Sequence, residues 1–105
     1  MSVLIVGGDH LGSIPKELDK MGVNEVRHIS GRTTQKIGSG IPETMDFIIV
    51  LCDYVNHNLS HSIKEFANSK EIPVVYAKRS WSSIYQKMKD SQNQFKKVGL
   101  RLPLN

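Results

Sequence analysis

A single cysteine, Cys52, stands among 105 residues, so no internal disulfide framework is available and a reducing cytoplasm is the expected setting. Long apolar runs are missing too. The longest, Val3–Val6 and Phe47–Cys52, fall far short of the roughly 20 residues a membrane-spanning helix needs. The opening Met1-Ser2-Val3-Leu4-Ile5-Val6 has neither the basic region nor the small-residue cleavage site of a secretory leader. No Gly-Lys-Ser/Thr triplet occurs, which excludes a P-loop, and no internal repeat or low-complexity stretch interrupts the chain. What is present, 39% apolar and 23% charged residues, is an ordinary globular balance with room for one domain.

Charge is unevenly spread. Residues 1–63 hold five Lys/Arg against seven Asp/Glu, whereas residues 64–105 hold nine against three, a net of +6 within a total of +4. Such a third is either a solvated basic surface with a loose tail or a face that meets an anion, nucleic acid included.

Apolar patterning predicts four strands alternating with helices. Ser2–Val6, ending in Gly7-Gly8, reads as a buried parallel strand, and Phe47–Cys52, apolar on both faces, as the centre of a covered sheet. Val23–His28 is a weaker second strand and Ile72–Tyr76 a fourth, with Pro73 near its start. Ser13 as cap, Pro15 in the first turn and Gly22 at the end bracket a helix whose Ile14, Leu18 and Met21 form one stripe. A second helix is expected from about Asn58 to Ser69 on Leu59, Ile63, Phe66 and Ala67. Ser80 caps a third, with Trp81, Ile84, Tyr85 and Met88 on one face. Residues 31–44 are hard to read and allow only a short helix near Thr33–Ile37. The domain is drawn as residues 1–89, and residues 90–105 read as a basic carboxyl-terminal tail in which Pro103 forbids a long helix.

The expected fold is therefore α/β: a single three-layer, half-Rossmann-like domain on a four-stranded parallel sheet of order 2-1-3-4. That order puts a switch point between strands 1 and 3, and open α/β sheets bind ligands there, beyond the carboxyl ends of the strands. Gly7–Gly12, His28–Arg32, Cys52–His57 and Ala77–Ser80 would meet at that end, bringing Asp9, His10, Arg32, Cys52, Asp53, His57, Lys78 and Arg79 together.

Each motif has a chemical and an ordinary reading. Gly7-Gly8-Asp9-His10-Leu11-Gly12 lies where a dinucleotide fingerprint would, but reads G-G-x-x-x-G, with Asp9 replacing the glycine that approaches pyrophosphate. Its glycines also suit a tight turn. Cys52 with His57 resembles a nucleophile and base, yet the phosphatase arginine six residues on is Asn58, and a small apolar thiol is the alternative. His57 and His61, four apart, would share a helix face as metal-binding pairs do, if His57 were helical. A single axial histidine for haem asks for less: one imidazole, an apolar cleft and cations for the propionates.

Residues 2 to about 88 resemble a widespread bacterial family of roughly hundred-residue domains of unknown function. The similar pieces, in order, are Val3–Asp9, Leu11-Gly12, His28, Gly31, Asp46–Val50, Asp53-Tyr54, Val55-Asn56-His57, Lys64, Ile72–Tyr76 and Arg79-Ser80. The resemblance implies a half-Rossmann fold and haem binding by at least one relative. Only His57 matches the family's histidine element, with His10 and His61 as other ligands to weigh.

The expectation is a non-enzymatic binding or sensing protein whose ligand is haem, with His57 on iron and Arg32, Lys78 and Arg79 facing propionates. Gly7, Gly8 and the basic third instead suit a nucleotide or nucleic acid. A small hydrolase using Cys52 or a metal comes third. Trp81, Tyr85, Met88 and Phe95 further suggest a homodimer or larger assembly built on the last helix or strand 4, since so much apolar surface usually marks an interface.

Overall fold

The computed structural model describes residues 1–31 and 44–104. Arg32 and the short helix expected at Thr33–Ile37 lie outside them. Strands β1 (Ser2–Val6), β2 (Glu25–Ile29), β3 (Phe47–Leu51) and β4 (Val74–Ala77) form one parallel sheet in the order β2-β1-β3-β4. Among the described residues the helices are α1 (Ile14–Lys20), α2 (His57–Lys70), α3 (Trp81–Asp90) and α4 (Gln92–Lys97), with a 3-10 turn at Cys52–Tyr54. The architecture is the expected one.

Two apolar clusters divide the sheet into its faces. Val3 and Ile5 of β1, with Phe47, Ile49 and Leu51 of β3, pack under α1, α3 and α4. The alternate residues Leu4, Val6, Ile48 and Val50 pack under α2 through Leu59, Ile63 and Ala67. This is the period of two in an extended chain, and it explains why every residue of β3 is buried. β2, at the edge, has no fully buried residue: Val26 and Ile29 are half-buried and Glu25, Arg27 and His28 exposed.

Local chemistry sets the element ends. Asn56 caps α2 by accepting the Leu59 amide on its side chain at 2.8 Å, which starts the helix one residue earlier than expected, at His57. Ser80 accepts the Ser83 amide at 3.2 Å and caps α3. Ser13 occupies the cap position of α1 but makes no side-chain capping bond. The strand expected at Val23–His28 starts at Glu25 instead, because the Val23 amide closes α1 on the Leu18 carbonyl, at 3.1 Å. The Ile72 amide likewise closes α2 on the Ala67 carbonyl, at 2.9 Å, delaying β4 to Val74.

The carboxyl-terminal region holds a finding the patterning missed. Residues 92–97 form α4, and Phe95, only 2% exposed, sits on Phe47 with ring centroids 5.3 Å apart. Leu100, Leu102 and Leu104 also pack against that cluster. Met88 and Phe95 are thus spent inside the chain's own core, leaving the half-buried, mutually packed Trp81 and Tyr85 as the rest of the patch expected to drive self-association. Among the described residues, no helix is long and apolar enough to cross a membrane.

Candidate functional site

The parallel register ends β1, β2, β3 and β4 nearly in line, pairing Val6 with Ile29 and Val50, and Leu51 with Ala77. The following loops therefore meet over one end of the sheet, and hydrogen bonds stitch them together. The Gly7 amide donates to the Ile29 carbonyl at 2.9 Å and the Gly8 amide to the Tyr54 carbonyl at 2.8 Å. Asn56 donates through its side-chain amide to the Gly31 carbonyl at 2.9 Å, besides capping α2. Gly31 is obligatory by contact: a Cβ there would stand 1.8 Å from the Tyr54 carbonyl oxygen. Gly7 is required by conformation, with φ of +115°.

Arg79 clamps two of these loops. Its Nη1 donates to the His10 carbonyl at 2.7 Å, its guanidinium carbon lies 4.9 Å from the centre of the Tyr54 ring, and its amide donates to Asp53 Oδ1 at 3.2 Å. Tyr54 remains half exposed beneath it. The Ser30 hydroxyl donates to Asp9 Oδ1 at 3.0 Å. His28 Nε2 lies 2.9 Å from the Gly7 carbonyl oxygen and 3.0 Å from that of Gly8. Both partners are acceptors, so Nε2 carries the proton and donates, which removes this nitrogen as a metal ligand.

The expected site residues therefore divide. Gly7, Gly8, His10, Lys78, Arg79, Cys52, Asp53 and His57 all lie on loops or element ends at this end of the sheet. His57 is exposed at the first residue of α2, and His10 and Lys78 are also exposed. His57 and His61 do stand four apart on one helix, but His61 Nε2 is engaged with Glu65 Oε1 at 3.0 Å. No group of three or more potential metal ligands gathers among the described residues. Cys52 is exposed on the 3-10 turn, where partial burial and the Asp53 charge push its thiol above the ordinary value of 9.0. A thiol so held is a poor nucleophile.

Sequence patterning gave Gly31, Tyr54 and Asn56 no role in the site, and missed what they do. Asn56 was legible in principle, as an Asn just before an apolar-periodic segment. The close approach of Gly31 to Tyr54 is a tertiary fact with no local signal.

Over residues 2–91 the chain matches the family described as "Uncharacterized protein conserved in bacteria (DUF2325)". The protein belongs to this family. The match takes in the sheet, α1 to α3 and every loop at the carboxyl ends, and stops just before α4. Neither the curated proteins nor the solved structures gave a match.

Proposed function

We propose that this family member is a non-enzymatic binding or sensing module that takes its ligand over the carboxyl ends of β1 and β3, and that the ligand is haem bound through His57. The observation that carries this reading is the exposed imidazole of His57, at the start of α2 and three residues from the half-exposed Tyr54. Arg79 and Lys78 supply positive charge on the neighbouring loop, as propionates require. The raised thiol of Cys52 favours binding over cysteine-based hydrolysis.

The residues fit haem as a surface ligand rather than an enclosed cofactor. Two clefts formed by described residues both lie at the other end of the sheet, and neither includes His57. With one imidazole and little apolar enclosure, affinity in the micromolar range is expected, about −8 kcal/mol. The Gly-rich turn offers less to a nucleotide, because the amides of Gly7 and Gly8 are both taken by carbonyls.

Titrating the purified protein with haem tests the proposal by the shift of the Soret band. His57→Ala should abolish or greatly weaken that shift with the far-ultraviolet circular dichroism unchanged. An unaltered titration would sink His57 as the ligand, and His10→Ala and His61→Ala would then locate another.

A second reading rests on the exposed Lys87, Lys96, Lys97 and Arg101 along α3, α4 and beyond, a surface suited to nucleic-acid phosphates. Binding of this kind should weaken steeply with salt, and Lys96→Glu with Lys97→Glu should flatten the slope. Charge reversal is the right instrument, since deleting residues 90–105 would also remove Phe95 from the core.

A further inference from the structure

A cleft of about 480 Å³ opens between α4 and the segment that follows it, at the opposite end of the sheet from His57. Its position follows from Phe95, which packs on Phe47, the first residue of β3. After α4 the chain reverses: the Gly99 amide donates to the Lys96 carbonyl at 3.1 Å and the Leu100 amide to the Phe95 carbonyl at 2.9 Å. The non-helical stretch beyond carries Leu100, Leu102 and Leu104, and turns at Pro103, where the Leu104 amide donates to the Leu102 carbonyl at 2.8 Å. All three are half-buried against the core, and with Phe95 they make an apolar lining.

The rim is cationic. Lys96 and Arg101 line the same cleft, no Asp or Glu does, and neither cation makes an ion pair among the described residues. An apolar trough with positive charge at its edge is complementary to one kind of small molecule, an alkyl chain ending in an anion. The volume lies in the range of about 300–1,000 Å³ common to small-molecule sites. The leucines are recessed in a concave lining rather than raised on a convex face, which suits a single inserted chain better than a bilayer surface.

We propose that this cleft binds a free amphipathic carboxylate of the fatty-acid class, its alkyl chain against Phe95, Leu100, Leu102 and Leu104 and its carboxylate against Lys96 and Arg101. The site is separate from the one proposed at His57 and does not depend on it.

Calorimetric titration of the full chain with dodecanoate, below its micelle-forming concentration, tests this. Saturable binding is expected, at least tenfold tighter than for dodecanol or dodecyltrimethylammonium at the same salt. Lys96→Glu combined with Arg101→Glu changes exposed side chains only and should weaken dodecanoate at least tenfold, with an unchanged circular dichroism spectrum. His57→Ala should leave the affinity as it was. Absence of saturable dodecanoate binding would overturn the proposal, as would equal affinity for the cationic surfactant or undiminished binding by the double variant. Two further results would also overturn it: displacement of dodecanoate by a short oligonucleotide at low salt would assign the cations to nucleic acid, and a dimer that dodecanoate cannot dissociate would assign the cleft to a second copy.

Discussion

The two ends of the sheet are closed by different physics. At the amino ends the strands are sealed by volume: Phe95 of α4 lies on Phe47, and Leu100, Leu102 and Leu104 extend the apolar cover. At the carboxyl ends they are covered by backbone and side-chain hydrogen bonds, from the Gly8 amide to Tyr54, from Asn56 to Gly31 and from Arg79 to His10. Volume-filling contacts supply stability in proportion to the area buried, whereas short hydrogen-bonded loops fix position and leave polar side chains outside. The first end contributes buried apolar volume to the fold, and the second leaves polar side chains such as His10, His57 and Lys78 exposed.

Substitutions should separate the two ends by size of effect. Phe95→Ala, at the sealed end, removes a ring that is 2% exposed and should cost about 3–5 kcal/mol in urea unfolding. A loss below about 1 kcal/mol would mean that α4 does not close the core. Gly31→Ala comes next. Its methyl would meet the Tyr54 carbonyl oxygen at 1.8 Å, and the required backbone shift should cost about 3 kcal/mol. That variant should also disturb ligand binding at the carboxyl ends, which Phe95→Ala at a temperature where it remains folded should not.

Asn56→Ala removes the α2 cap and the bond to Gly31 together, so a loss of about 1–2 kcal/mol in thermal or urea unfolding is expected. Stability unchanged by that variant would contradict the role assigned to the cap. The smallest effect concerns Cys52. With its thiol pushed above 9.0, iodoacetamide should react slowly at neutral pH and faster as pH rises through and beyond that value. Stability linked to this group is present below the ordinary thiol value and is lost as pH rises through the raised one, because the folded state holds the proton longer. Rapid alkylation at pH 7 would mean that a thiolate forms and would reopen cysteine chemistry.

The sheet was legible because β1 and β3 are continuous apolar runs between turn signals, a pattern with few structural solutions. The switch point followed from strand order alone, and with it the loops that meet there. Ends of elements were less legible where a backbone bond decides them, as at Val23 and Ile72, or where the signal is missing, as at Glu71, which takes the left-handed conformation that glycine usually fills. α4 was hidden because a single apolar residue, Phe95, stands in a basic stretch too short for periodicity to register. At the candidate site, the sequence marks Arg79 as a cation facing propionates but not its contacts within the chain. Its bond to His10 and its place on Tyr54 come from segments far apart in sequence, and no local pattern reports them.

One spectrum tests most directly whether the hydrogen-bonded end is the binding end. Amide resonances of the labelled protein can be recorded before and after adding haem, whose iron broadens signals near it. Broadening is predicted at Gly8, Tyr54, His57 and Arg79, with Phe95 to Leu102 unaffected and the pattern lost in His57→Ala. Broadening centred on Phe95 to Leu102, or none at any residue, would contradict the account.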